Sequence, residues 1–393
     1  MKTLLEHWDL GQIEETILAS IGLIKAGMSK EQVIAAIRIG KKLPDISERE
    51  EILSIARARI RGKEKFELSG QMLMNEEDLR FATPDIVADY RGKKLKCRTA
   101  AELGCGIGGQ SFGIARHCKK VISIDADARK VEYARHNAGI AGLSNITFFT
   151  GEILDKDFVK KAESAEHVFC DPSRAESSAE RRIEELSPGI NQVLHSYSKA
   201  KGIGFEVPAQ LQVPAGLFGC EREYISIGRK LNRLTLYFGD LKKDFVSVVS
   251  LPTEERISRQ KEEPSAIKIR PSHCKEYLHV VDTAIMKAGL LPELSYGLSE
   301  ELFLLHEKKY TLLTSRQDII SPFLESHKVL ARTSINGQDI LNALKSAQAG
   351  TVVLRSSVKP EEYWEERRSF EKELSGDKKL QLFILESEAV VCE

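Results

Sequence analysis

The apolar run HVFC at 167–170 stops at Asp171-Pro172-Ser173-Arg174: an acid, a ring-locked residue, a hydroxyl and a guanidinium in succession. A carboxylate where a strand ends can accept a hydrogen bond from an exocyclic amine or a ring N–H and hold that nitrogen's lone pair in line with an electrophile. Pro172 would fix the turn, and Arg174 can clasp a phosphate or a base edge through two parallel hydrogen bonds. The plainer alternative makes Asp171 the cap of a following helix and Arg174 a surface residue.

A second constellation lies upstream. AELGCGIGGQSFGIARHC carries glycines at 104, 106, 108 and 109 between a strand-like and a helix-like run, so backbone N–H groups can approach a ligand at a helix N-terminus. A dinucleotide fold also uses such glycines, but it has no use for an acid at Glu102. S-Adenosylmethionine carries an ammonium and no diphosphate, and an acid beside the loop compensates that charge. The next strand-like run, KVISIDAD, ends in Asp125, where a carboxylate can accept both hydroxyls of a ribose. Glu102, Gly104, Gly106 and Asp125 together indicate a class I methyltransferase cofactor site rather than a dehydrogenase. Glu152, after the third strand-like run, is either a contact on the adenine side or a solvated loop acid.

Such residues are brought together by parallel strands with helices between them. From about residue 98, short apolar runs alternate with helical ones, which predicts an α/β, Rossmann-like domain over 76–251, its final strand pair antiparallel. Residues 1–75 read as a helical domain with capping boxes at Ser29–Gln32 and Ser47–Glu50. Thr83 and Pro84 predict a helix start and Gly92 its end. The polar stretch 252–266, with a proline near each end, reads as a linker, and 267–393 as an α+β domain.

The composition bounds the function. Of 393 residues, 42% are hydrophobic, enough for large cores, and 58 Lys plus Arg offset 58 Asp plus Glu. Only local patches can then draw the chain to nucleic acid. The seven cysteines form no CxxC pair and no zinc-like spacing, so the expectation is reduced thiols, a cytoplasmic setting and no metal. No apolar run reaches membrane-spanning length.

AELGCGIGG, ISIDADARKVEYARHNA, VFCDPSRA and LRFATPDIVADYRGKKL together resemble the RNA cap guanine-N2 (trimethylguanosine-synthase-like) methyltransferases. They are more similar still to prokaryotic relatives with an Asp-Pro-Ala-Arg-type motif and a C-terminal THUMP-like domain. The likeness covers roughly residues 75–393. It implies that Glu102, Gly104, Gly106 and Asp125 bind S-adenosylmethionine, that Asp171 with Pro172 positions the acceptor nitrogen, and that residues 267–393 are THUMP-like. One departure concerns base identity: the cap-type enzymes have Pro-Pro-Trp, whose ring stacks on the base, and Ser173-Arg174 offers no ring. Asp-Pro-x-Arg is also similar to the RNA 5-methyluridine methyltransferases, which need a nucleophilic cysteine. SCNP is absent, and Cys220 is the only later cysteine of the domain.

RARIRGKEK and RGKKLKCR are local basic footprints, and with Arg181 and Arg182 they would make a track toward the active site, unless each is a solvated face. Glu221 and Glu223 alternate on their strand and reach the active-site rim or stay in solvent. The expected function is methyl transfer from S-adenosylmethionine to a guanine nitrogen of structured RNA, with tRNA as the leading substrate. The rivals are a methyltransferase for proteins or small molecules, and a non-catalytic RNA-binding protein with a vestigial cofactor fold.

Overall fold

The computed structural model describes residues 3–174, 183–211, 213–214, 216–263, 268–298, 301–308, 310–356 and 361–393. They form two units: 1–223 with 233–243, and 224–232 with 244–393.

The first unit begins with helices α1 (Leu4–His7), α2 (Leu10–Lys25), α3 (Lys30–Ala36), α4 (Ile46–Arg61), α5 (Glu76–Phe81) and α6 (Asp85–Lys94). Ser29 and Gln32 form the expected capping box of α3, whereas α4 starts earlier than Ser47 predicts, with Asp45 and Glu48 as its box. These helices do not make a domain of their own. Ile13, Ile17, Ile52 and Leu53 share one buried core with Ile107 of the glycine loop and Phe112. Each such side chain stabilises the fold by about 1.5–3 kcal/mol, so the helical segment and the sheet that follows are held by one core.

The strands that follow are β1 (Thr99–Leu103), β2 (Lys120–Asp125), β3 (Ile146–Thr150), β4 (His167–Cys170), the short β5 (Ser173–Arg174) and β6 (Leu186–Ser187), β7 (Gly202–Val207), β8 (Glu221–Ile227) and β9 (Lys230–Gly239), the last two of which run on into Tyr224–Asn232 of the second unit. Helices α7 (Gly109–His117), α8 (Ala128–Ile140), α9 (Lys156–Lys161) and α10 (Ile190–Ser196) separate them. The order is β8-β9-β7-β4-β1-β2-β3, with β3, β2, β1, β4 and β7 parallel and β9 antiparallel to β7. Positive φ at Gly228 and Arg229 makes the two-residue turn that joins β8 to β9.

Gly92 does not end its helix. It lies inside α6, where a Cβ would collide with the carbonyl of Gly113, while a Cβ on Gly113 would collide with that of Ala88. The paired glycines let α6 and α7 pack backbone to backbone, which fixes α6 against the helix that starts at the glycine loop.

In the second unit, β10 (Val246–Leu251) and β11 (Glu255–Arg259) pair antiparallel from Val246↔Arg259 to Ser250↔Glu255. The expected linker therefore contains a strand. Its polarity misled the reading because β11 ends the strand order, and an edge strand tolerates charged side chains. Residues 264–266 of that stretch lie outside the described residues. A second, seven-stranded sheet orders β13-β14-β12-β15-β18-β17-β16, built from β12 (Tyr277–Val281), β13 (Phe303–Glu307), β14 (Thr311–Ser315), β15 (Leu324–Thr333), β16 (Ala349–Arg355), β17 (Lys378–Ile384) and β18 (Ala389–Cys392). Its helices are α11 (Thr283–Ala288), α12 (Leu291–Gly297), α13 (Gly337–Ser346) and α14 (Tyr363–Glu371). Among the described residues, no helix is long and apolar enough to cross a membrane.

Candidate active site

In the first unit β1 lies between β2 and β4, so the chain reverses its direction of crossover there. Ligands of open parallel sheets bind beyond the carboxyl ends of strands at such a switch point. A cleft of about 640 Å3 opens at this place, lined by Gly104, Gly106, Asp125, Glu152, Asp171 and Pro172 among others.

The glycine loop is shaped for close approach. Gly104 has φ of 85°, and a Cβ there would collide with the carbonyl oxygen of Asp171. Gly106, also with positive φ, would meet nothing within 4 Å, so the missing side chain leaves open space for a ligand. Its N–H donates to Oδ2 of Asp125 at 2.8 Å, and Asp127 N–H donates to Oδ1 at 3.0 Å. These contacts hold the carboxylate at the end of β2 on the cleft wall. Loop and acid thus fit the nucleoside and methionyl parts of S-adenosylmethionine. Glu152 lines the cleft and is exposed.

Glu102 behaves differently from expectation. It is buried, does not line the cleft, and accepts hydrogen bonds from Ser111 and, at 2.9 Å, from Ser123. Burial pushes its carboxyl up to about 7; the two hydroxyls oppose the rise, and Asp171 and Asp125 add to it. It lies under the loop and fixes α7 to β1 and β2.

Asp171 stands one residue past β4. Its N–H donates to the Leu103 carbonyl at 2.9 Å, continuing the β1–β4 pairing and seating Asp171 beside Gly104. Pro172 is buried and Ser173 exposed, both on the cleft. The side chain of Arg174 and all of Arg181 and Arg182 lie outside the described residues.

Among the lining residues that the sequence did not mark are Glu206 and Arg233. Glu206, near the end of β7, is an ion-pair partner of Arg91 on α6 at 2.5 Å and of Arg233 on β9 at 3.0 Å. Arg91 is wholly buried, donates to Thr235 at 2.9 Å and lies over the Phe169 ring at 4.9 Å. Burial alone would lower the pKa of its guanidinium, but Glu206 and then Tyr237, with Asp171 further on, more than offset this. An acid within the fully apolar run GIGFEVP was the available signal for Glu206. Nothing local marked Arg233.

The other unforeseen feature is a wall made by α5. Asp78 takes Arg129 of α8 in two bonds, at 2.7 and 3.0 Å. At the other end, Lys65 Nζ donates to the carbonyls of Leu79, Arg80 and Ala82 at 2.7, 3.1 and 3.3 Å. Arg80, Phe81 and Thr83 line the cleft from this wall.

The basic footprints are mostly spent on the fold itself. Arg59 is buried against Glu14, and Arg57 and Arg61 both face Glu76. In the second segment Arg91 holds Glu206, Lys93 pairs with Asp89, and Lys94 pairs with Glu221 and Glu223. Those two glutamates are fully buried and do not line the cleft, so neither reaches the rim nor meets solvent. Cys220 is buried and away from the cleft as well. Among the described residues no group of three or more His, Cys, Asp or Glu is arranged to hold a metal ion.

Comparison with known proteins bears on the same region. An uncharacterized S-adenosylmethionine-dependent methyltransferase of Mycobacterium tuberculosis (strain ATCC 25618 / H37Rv) is 24% identical over 304 residues, 74% of this chain and 79% of its own. An uncharacterized RNA methyltransferase of Leptospira interrogans is 32% identical over 91 residues, 23% of each chain. A 23S rRNA (uracil(1939)-C(5))-methyltransferase of Vibrio campbellii is 36% identical over 80 residues, 20% of this chain and 18% of its own. A crystal structure assigned as a methyltransferase, from Porphyromonas gingivalis W83, is similar in fold with a TM-score of 0.73 at 17% identity, covering 98% of both chains. Residues 98–202 match the family described as a methyltransferase domain. That match begins one residue before β1 and ends where β7 begins, on the strands that build the cleft; this chain carries a class I S-adenosylmethionine-dependent methyltransferase domain.

Proposed function

We propose that the protein methylates a guanine nitrogen of structured RNA, with tRNA as the first substrate to test. The observation that carries this reading is Asp171: a residue whose backbone is seated beside Gly104 and which lines the cleft that holds the cofactor cradle, with Pro172 fixing its turn. S-Adenosylmethionine, when bound, supplies an electrophilic methyl group on a sulfonium. Gly104, Gly106 and Asp125 would hold it, Glu152 would face its adenine, and Glu102 would act from below by fixing the loop. Asp171 would accept the acceptor nitrogen's N–H, so that the nitrogen's lone pair faces the methyl group while its proton stays on the side of the carboxylate. Arg174 is assigned to a phosphate or base edge by its chemistry alone. Residues 267–393, read as THUMP-like, would grasp the body of the RNA.

The RNA methyltransferases among the relatives support an RNA substrate. Carbon methylation of uracil is disfavoured because Cys220 is buried away from the cleft and the burial pushes its thiol up to about 11. One observation favours the rival reading of a protein or small-molecule substrate: the internal pairing of the two basic segments leaves less positive surface than their sequence promises.

The test is methyl transfer from labelled S-adenosylmethionine to unmodified tRNA and rRNA transcripts by wild type and Asp171→Ala, with the product nucleoside identified by mass spectrometry. A methylguanosine that falls about 100-fold or more in the variant is expected. Methyluridine would overturn the guanine assignment, and no incorporation into any RNA, with cofactor binding intact, would overturn the RNA reading.

A further inference from the structure

The motif at 171–174 can hold an acceptor nitrogen but has no aromatic ring to set the plane of a base. The structure offers one from elsewhere. Phe66, Phe112, Phe148, Phe158, Phe169 and Phe205 of the first unit are at most 8% exposed, whereas Phe81 is 53% exposed and lies on the cleft. A single exposed apolar side chain is ordinary on a protein surface. This one is unusual in being held. It is the last residue of α5, whose start is fixed by Arg129 on Asp78 and whose end is fixed by Lys65 on three carbonyls.

Position along the cleft also follows from named contacts. The Asp78 end of α5 is tied to α8, the helix that follows Asp125. The Phe81 end is tied to the opposite side: the Ala82 carbonyl accepts from Arg233 at 3.5 Å, and Arg233 pairs with Glu206. Glu206 pairs in turn with Arg91, whose guanidinium feels the charge of Asp171. The Phe81 end of α5 is thus tied to the Arg233–Glu206 side of the cleft, which Asp171 also lines. The guanidinium of Arg80 lies 5.0 Å from the centroid of the Phe81 ring, adding a positive charge suited to a base that carries phosphate.

We propose that Phe81 is the platform on which the acceptor nucleobase stacks, so that ring and Asp171 together fix the plane and the reacting nitrogen. This rests on the RNA reading above. Single-stranded bases are held by aromatic side chains in this way, and stacking tolerates any base, so Phe81 would set affinity while Asp171 selects the atom.

The test compares wild type, Phe81→Ala and Phe81→Trp as full chains, measuring KM and kcat on unmodified tRNA transcripts and the affinity for S-adenosylhomocysteine. Phe81→Ala should raise the RNA KM about 5- to 100-fold with cofactor affinity unchanged within twofold, and Phe81→Trp should restore the RNA KM. Quenching of the introduced indole on adding tRNA should accompany the restoration. An unchanged RNA KM in Phe81→Ala, with wild type active, overturns the stacking role and leaves the RNA reading standing. An equal loss of cofactor affinity also overturns it, because the ring would then serve the cofactor. If wild type transfers methyl to no RNA, both readings fall together.

Discussion

Two glutamates lie buried in the first unit, Glu102 on β1 at 1% exposure and Glu206 on β7 at 3%, and their surroundings are opposite. Glu102 accepts from the hydroxyls of Ser111 and Ser123 and feels two more carboxylates, Asp171 and Asp125. Glu206 sits between the guanidiniums of Arg91 and Arg233. Taking a carboxylate out of water costs several kcal/mol unless it is paired. The fold meets that cost on β1 by letting the proton stay to about pH 7, and on β7 by importing cations from α6 and β9. The β1 side of the sheet is thus built on a group whose charge changes near neutrality, and the β7 side on fixed charges.

The sharpest way to break this contrast is to remove a cation. Arg91→Met would leave Glu206 buried with one partner fewer and should lower the stability of the first unit by about 3–5 kcal/mol, read as a shift in the urea midpoint. Arg91→Met combined with Glu206→Leu should recover most of that loss, since no unpaired charge remains. An unchanged midpoint in the single variant would mean that Arg233 alone compensates Glu206, and the contrast with Glu102 would then be one of degree.

The complementary change acts on the other acid. Glu102 has its folded pKa raised from 4.5 to about 7, so it contributes stability that is fully present below pH 4.5 and is lost as pH rises through 7. The corresponding decline is about 3 kcal/mol. Glu102→Gln keeps one oxygen, and one carboxylate oxygen accepts from both serines, but it cannot ionise, so its stability between pH 5 and 8 should be flatter than that of wild type. Thermal unfolding across that range, each variant against wild type, checks the slope; parallel curves would show that Glu102 is ionised throughout.

The same two residues show what could be read from the sequence. Glu102, Gly104, Gly106 and Asp125 fall within one strand–loop–helix–strand stretch, where chain order dictates proximity, so their constellation was visible before any tertiary contact was known. The burial of Glu102 against Ser111 and Ser123 was not visible in that stretch, because which way a side chain of a buried strand faces depends on what packs against it. Glu206, Arg91 and Arg233 come from three segments and acquire meaning only through their pairing. The basic segments were partly illegible for a related reason: a run of Lys and Arg looks like a surface footprint until Glu14, Glu76, Glu206, Glu221 and Glu223 arrive from elsewhere in the chain to pair with some of its members. Polar β11 was mistaken for a linker because edge pairing needs backbone, not apolar side chains.

The smallest expected effect concerns α5, the wall that neither acid builds. Six residues are too few for a helix to persist by itself in water, so its order must come from its ends. Its first turn has the Asn75–Asp78 capping box and the Arg129 bond, and its last carbonyls have Lys65. Burial, with Arg233 nearby, lowers the pKa of the Lys65 ammonium from 10.5 to about 8. A base lowered in this way disfavours the folded state while it is charged, so stability from this group rises with pH between about 8 and 10.5. Lys65→Met removes the donor to all three carbonyls and should cost about 1–2 kcal/mol locally, seen as a roughly tenfold loss of amide exchange protection over Leu79–Phe81. Protection elsewhere in the unit should be unchanged, as should the Glu102-dependent slope between pH 5 and 8. A loss of protection spread over α7 and β1 instead would mean that α5 and the glycine loop open as one body.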